Sequence, residues 1–335
     1  MVAADLYFSA APAPEAAGPE LPGLARLARF GCRQRLPRGW RAWVAEQTGR
    51  AELTRTPEAA VASAALHTPA GAQSWLATPV HLTVSLTGVH LEPRGLLRLE
   101  AAGQAQLAGS FGAHFDPLGH ALLPASGGGF VVCGPHIEGV TRTTDPARCL
   151  GTSVGDAQPL GPGSAKLKRL SAEIEMWLYA HPLNAARARA GEPPVSALWL
   201  WGGESSGQSP SRPNAPQRLP PTLQFFGDDA YLAGLAKLTG SAYRPVPSTL
   251  AGVAYPQGMT VIVVEVFRAR AQPLPTPQAA LESFDQDFLT PALAALTRGA
   301  ADSFTLLAND RALTLRLRDR LRLWRRPRAA LEALQ

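Results

Sequence analysis

Residues 171–207, SAEIEMWLYAHPLNAARARAGEPPVSALWLWGGESSG, limit how this chain can fold more than any other stretch. Leu167, Leu170, Ile174, Trp177 and Leu178 recur at helical spacing, which predicts an amphipathic helix with one apolar face. Pro182 ends it, because proline lacks an N–H and biases His181 away from helical angles. After a polar connector, Val195 to Trp201 is almost wholly apolar, as expected of a strand covered on both faces in the middle of a parallel sheet. Gly202 and Gly203 then let the backbone turn. Ligands of open α/β sheets bind beyond the carboxyl ends of strands, so Gly202–Gly207 is the first candidate site.

The rest of the chain supplies an α/β frame. A strand is expected at Asp5–Ala10, helices at Leu21–Phe30, Trp40–Gln47 and Glu58–Leu66, and a half-buried strand where Val80, Leu82, Val84 and Leu86 alternate with polar residues. Leu97–Ala101, Gly109–Phe115 and Gly129–Cys133 read as further strands. Later, Asp228 and Asp229 stand where a helix N-cap is wanted, before Tyr231, Leu232, Leu235 and Leu238. Thr260–Phe267 and Ser303–Ala308 read as strands, with a helix carrying Leu281, Phe284, Phe288 and Leu293 between them. Strand, helix, strand, helix, strand implies right-handed crossovers and a mostly parallel sheet flanked by helices. The expected domains are 1–75, opening an α/β core; 76–164, an inserted β-rich or α+β subdomain; and 165–335, the remainder of the core.

Composition excludes several classes. With 46% apolar residues in 335, a large core is available. No apolar run approaches membrane-spanning length, and Asp5, Glu15 and Glu20 without a basic head give no sign of a secretory signal. Cys32, Cys133 and Cys149 are odd in number and widely spaced, which fits reduced thiols and a cytoplasmic location. The net charge of +6 suits anionic ligands or partners.

Two constellations fail their templates. Gly203-Glu204-Ser205-Ser206-Gly207 has the spacing of a nucleophile elbow, but no helix can start in QSPSRPNAP and no histidine follows it. His114, Asp116, His120 and His136 match no metal-ligand spacing and read as loop residues, and His181 reads as a helix cap. A third is unusual. From Leu313 to Leu323, leucines alternate with Arg316, Arg318, Arg320 and Arg322, followed by Trp324. As a strand this lines guanidinium groups roughly 6–7 Å apart. It is either a charged edge strand that deters aggregation or a strip for nucleic-acid phosphates with Trp324 for stacking.

WLATPVHL at 75–82, AEIEMWLYAHPLN at 172–184 and RARAGEPPVSALWLWGG at 187–203 together resemble a group of proteobacterial proteins. That group is distantly related to archaeal-type cofactor-independent phosphoglycerate mutases of the alkaline phosphatase superfamily. The resemblance continues through GDDAYLAGLAKLTG at 227–240, SFDQDFLTPALAAL at 283–296 and TLLANDRALT at 305–314. It implies an alkaline-phosphatase-like core with an inserted subdomain, two divalent metals on Asp and His ligands, and a serine nucleophile. The chain departs from that pattern. No histidine follows His181, the late Asp-His position reads Asn309-Asp310-Arg311, and the other expected His position falls in Val264-Glu265-Val266. Arginine cannot substitute, having no free lone pair at neutral pH.

The leading expectation is therefore a catalytically degenerate phosphoglycerate-mutase-like protein without metal or cofactor. It would bind a phosphorylated small molecule or a protein partner through Gly202, Gly203 and Arg311. A second is an active mutase or phosphatase with a rearranged site drawn from Ser205, Ser206, Glu265 and Asp310. The third is a nucleic-acid-associated accessory protein using Arg316, Arg318, Arg320, Arg322 and Trp324.

Overall fold

The structure is a computed structural model that describes residues 2–4, 21–86, 88–204, 222–251, 258–264, 276–308 and 310–321. In chain order, β1 (Val2–Ala4), α1 (Pro22–Phe30), β2 (Cys32–Arg35) and α2 (Gly39–Gln47) come first. Then follow α3 (Glu58–Ser63), β3 (Gln73–Ser85), β4 (Gly88–Leu96), α4 (Ala101–Phe115), β5 (Ala121–Pro124) and β6 (Phe130–Gly134). Next are α5 (Ser164–Tyr179), α6 (Pro182–Arg189), β7 (Ala197–Trp201), β8 (Leu223–Phe226), α7 (Ala230–Thr239) and β9 (Ala242–Arg244). Last come β10 (Met259–Val264), α8 (Pro277–Phe284), a π-helical turn (Asp285–Leu289), α9 (Thr290–Thr297), β11 (Ser303–Ala308) and β12 (Arg311–Arg316).

Two compact units divide this chain. One comprises Met1–Thr54, Ala215–Asp228 and Gly240–Gln335; the other comprises Arg55–Asn214 and Asp229–Thr239. The division differs from the domains expected from sequence: residues 55–75 and 165–204, assigned there to the core, belong to the second unit. Only α7 returns to it after β8.

The first unit holds a seven-stranded mixed sheet in the order β2, β12, β11, β1, β10, β8, β9. β11, β1, β10, β8 and β9 pair in parallel, while β12 is antiparallel to both β11 and β2. Its core joins Leu24 and Leu27 of α1, Leu293 and Leu296 of α9, and Ile262, Phe304, Leu306, Leu313 and Leu315 of the sheet. Each such side chain contributes about 1.5–3 kcal/mol on burial. The leucines of β12 are buried as the alternation requires, yet the strand stops at Arg316. Asp319, itself buried, accepts a hydrogen bond from the Arg316 N–H at 3.0 Å, and the chain turns into a 3-10 helix at Leu317–Leu321. The expected Leu313–Leu323 strand is thus cut short and lies inside the sheet, so the edge-strand reading is corrected.

The second unit is built on an antiparallel sheet. The long strand β3 pairs with β6 over Gln73–Ala77, with β7 over Leu76–Val80 and with β4 from Val80 to Ser85. Among the described residues β7 pairs with β3 alone and antiparallel, which overturns its expected place in a parallel sheet. Leu198 and Leu200 enter one core cluster and Trp201 another, so the strand is buried on both faces as its composition demands. Two-sided burial does not by itself specify strand direction. Gly109–Phe115, expected as a strand, lies within α4, where Leu107, Phe111 and Phe115 recur every four residues and are all buried. Leu97–Ala101 forms no strand either, because β4 ends at Leu96. Helix α5 buries Leu167, Leu170, Ile174 and Leu178 as expected. Asp229 caps α7 by accepting from the Leu232 N–H at 3.0 Å.

Candidate functional site

Gly202, Gly203 and Glu204 at the end of β7 are bound into the second unit. Gly202 has φ +70°, and its carbonyl accepts from the Ala59 N–H at 2.7 Å while its own N–H donates to Thr143 Oγ1 at 2.9 Å. The Gly203 carbonyl accepts from Gln73 Nε2 at 2.7 Å, and Gln73 Oε1 in turn accepts from the Ile137 N–H at 2.7 Å. A Cβ on residue 203 would fall 2.4 Å from the Ser74 carbonyl and 2.6 Å from the Trp75 ring. The Glu204 carboxylate accepts from both the N–H and the hydroxyl of Thr143. These glycines close a latch between β7, α3 and the 143 loop. The crevice expected there presupposed a parallel sheet, and β7 belongs to an antiparallel one. Ser205 and Ser206 lie outside the described residues.

The HPLN-x-x-R phrase is a second staple. Pro182 opens a new helix at its first position instead of leading into a plain connector. His181 Nδ1 accepts from the Leu183 N–H at 3.1 Å, so that nitrogen carries no proton. In the neutral ring the proton then sits on Nε2, which donates to Ser110 Oγ at 2.7 Å. The Ser110 hydroxyl donates onward to the Gln106 carbonyl at 2.9 Å. Proton flow is therefore opposite to that of a serine nucleophile activated by a histidine base, which needs the ring to accept from the hydroxyl. Burial pushes the His181 pKa down, which keeps the ring neutral and the cap intact. Asn184 completes the staple: its Oδ1 accepts from the Val195 N–H at 2.8 Å, and its Nδ2 donates to the carbonyls of Leu178 at 2.9 Å and Val195 at 3.0 Å. Arg187 Nε donates to the Pro193 carbonyl at 2.8 Å, and its Nη1 lies 2.9 Å from Glu192.

The carboxyl edge of the parallel strands lies in the first unit. β11 ends at Ala308 and the chain returns into β12, with Ala308 opposite Arg311. Asp310 stands at that reversal with φ +57°, and its carbonyl accepts from the Leu36 N–H at 2.6 Å. Arg311 is directly opposite Arg35 of β2. Arg316 and Arg318 are exposed at the other end of β12, about 17 Å away at roughly 3.3 Å per residue. The expected alternating strand thus ends at Arg316, and positions 318 and 320 fall on the 3-10 helix. Glu265, Arg322 and Trp324 lie outside the described residues.

Arg35 escaped the sequence reading because Cys32–Arg35 is a short, polar strand with no buried alternation. Its only local signal was the spacing of Arg33 and Arg35, and nothing local fixes its register against Arg311. The two-metal Asp/His site implied by the family resemblance would draw on residues of different units. All seven histidines lie between His67 and His181, within the second unit, and Asp310 is held in a tight turn. Among the described residues no three His, Cys, Asp or Glu side chains are grouped to hold a metal. No described helix is long and apolar enough to cross a membrane.

No protein-family model matches the chain, and no curated protein matches it. Among solved structures it is similar to a cofactor-independent phosphoglycerate mutase from Thermoplasma acidophilum: 13% identity, TM-score 0.36, 89% of this chain and 82% of that one. It is also similar to the PH0037 protein from Pyrococcus horikoshii: 12% identity, TM-score 0.42, 89% of this chain and 80% of that one.

Proposed function

We propose that the chain is a phosphoglycerate-mutase-like cytoplasmic protein, of alkaline-phosphatase-like ancestry, that binds a phosphorylated small molecule or a partner without carrying out metal-dependent phosphoryl transfer. One observation carries this reading: the unit containing the parallel sheet has no histidine anywhere in its sequence. Two-metal phosphoryl transfer clamps both the attacking and the leaving oxygen with cations held by anionic and imidazole ligands. Here the late strand end offers Asp310 beside Arg311, a carboxylate next to a fixed positive charge that competes with a metal for it. Guanidinium binds phosphate strongly through paired N–H donors, yet it supplies neither a metal-bound nucleophile nor a proton acceptor.

Elemental analysis of the purified protein together with a mutase assay tests the reading. Expected are no stoichiometric transition metal, no interconversion of 2- and 3-phosphoglycerate, and a rise in melting temperature with phosphorylated three-carbon acids. Two equivalents of manganese or zinc with measurable turnover would replace it by the active alternative. Ser205, Ser206, Glu265 and Asp310 would then be the first residues to substitute.

A further inference from the structure

The hairpin of β3 and β4 carries apolar side chains out into solvent: Val84 is 84% exposed, Leu86 108% and Val89 36%. Val84 and Val89 are cross-strand partners, as are Leu82 and Leu91, so these four share one face. Leu91 is fully buried and Leu82 packs on the same cluster, which makes the exposed stripe an outward continuation of a core. Hydrogen-bond parity then fixes which backbone groups the tip leaves open. The Leu91 N–H donates to the Thr152 carbonyl at 3.1 Å, its carbonyl accepts from the Gly151 N–H at 2.8 Å, and the Val89 carbonyl accepts from the Val154 N–H at 3.0 Å. Leu91 and Val89 thus turn their backbone away from β3, and their partners Leu82 and Val84 turn theirs away from β4. On that far edge β7 pairs only as far as Val80, and Ser196 Oγ takes up Leu82 by accepting from its N–H at 3.1 Å. No described residue bonds the N–H or the carbonyl of Val84. Edges of native sheets are guarded by charge, proline or cover. Beyond Leu82 this one has none, and the sequence carries no Asp, Glu, Lys or Arg from Ala59 to Leu91.

We propose that the tip of the β3–β4 hairpin is a docking surface for a second copy of this chain, related to the first by a two-fold axis at Val84. Antiparallel pairing of Val84 with its counterpart lets each copy donate one N–H and accept at one carbonyl, and it sets the two apolar stripes on a common face. Charge and area select this occupant. With no charged side chain in the segment, two copies meet without like-charge contact despite the net charge of +6, whereas a polyanion finds no cation within it. A lipid surface would accept the side chains but leave the Val84 N–H and carbonyl unmet in hydrocarbon. Val84, Leu86 and Val89 present on the order of 400 Å² per copy, so two copies bury about 800 Å² between them, short of the roughly 1,000 Å² of a lasting interface. The contact is therefore a reversible dimer, populated at roughly tens to hundreds of micromolar chain.

Sedimentation velocity of the full chain from about 1 μM to about 1 mM tests this. The wild type should pass from monomer to dimer and no further. Val84→Pro removes the outward N–H without touching a bond to β4, and Val84→Lys sets like charges across the two-fold; each should weaken the dimer at least tenfold while the cooperative melt is kept. Leu86→Asn should weaken it less, and Met176→Lys, at an exposed apolar residue of α5, should dimerise as the wild type does. With the exposed Cys32 replaced by Ser, Val84→Cys should oxidise to a covalent dimer and Leu118→Cys should not. A monomer throughout the range, oligomers larger than two, or a dimer that both Val84 variants leave intact would each overturn the docking surface. If both of those variants fail to fold, the cysteine variant decides, and absence of its covalent dimer overturns it. A monomer that instead binds phosphatidylcholine vesicles through Leu86 would also overturn it, in favour of a lipid surface.

Discussion

The two units of this protein bury comparable leucine- and phenylalanine-rich cores but hold their polar backbone in different ways. In the parallel-sheet unit a long-range carboxylate, Asp285 of the π-helical turn, reaches across the sequence to the start of α1. It accepts from the Gly23 N–H at 2.9 Å and the Leu24 N–H at 2.7 Å, at a helix end whose own N-cap residue, Leu21, offers no side-chain acceptor. In the antiparallel unit, beside the carboxylates of Glu204 and Asp229, several neutral side chains hold the backbone. They are the amides of Gln73, Gln104 and Asn184, the hydroxyl of Thr143 and the imidazole of His181. Conspicuous polar side chains of the antiparallel unit are consumed in holding it together, whereas the parallel-sheet unit concentrates opposed positive charge at one strand end.

Asp285 is where this contrast is most exposed to failure. Asp285→Ala leaves two buried N–H donors at a helix amino end without an acceptor, and should cost about 3–4 kcal/mol in urea unfolding. Exchange of the α1 amides should accelerate first; unchanged protection of α1 would show that the carboxylate is not its cap. The counterpart in the other unit is smaller. A Cβ at position 234 of α7 would lie 1.8 Å from the Val61 carbonyl of α3, so Gly234→Ala should cost about 2–3 kcal/mol by forcing the two helices apart. Loss of protection should begin in α3 and α7, and a stability within a few tenths of a kcal/mol of the wild type would contradict such close packing.

The smallest expected effect separates the units by pH. Burial lowers the pKa of His181, and burial also lowers that of His120, opposed there by the Glu173 carboxylate. A folded-state pKa below the unfolded value of about 6.5 means that the unfolded chain binds the proton more readily. The stability contribution is thus present above about pH 6.5 and is lost as pH falls from there toward the lowered folded values. Protection factors of the α5 and α6 amides, taken against the intrinsic exchange rate at each pH, should fall between neutral and mildly acidic pH, and less so in His181→Asn, which can still cap α6. The first unit contains no imidazole to produce such a response. A pH-independent α6 would remove the assigned role of His181.

Much of this structure is written in local pattern. The helical face of α5, the Asp229 cap of α7 and the bounds of β11 follow from spacing and cap chemistry that act within a few residues. Other elements were written locally but overruled by nearby competition: Gly109 and Gly112 mask the four-residue recurrence of Leu107, Phe111 and Phe115, and Asp319 curtails β12 by bonding back to Arg316. Which sheet receives β7 was settled by tertiary packing, because two-sided burial is the same demand in either direction. Packing also set Arg35 opposite Arg311, since strand register is fixed by contacts between segments far apart in the chain. The candidate site depends on that register, which is why the sequence yielded Arg311 and Asp310 but not the residue that stands opposite Arg311.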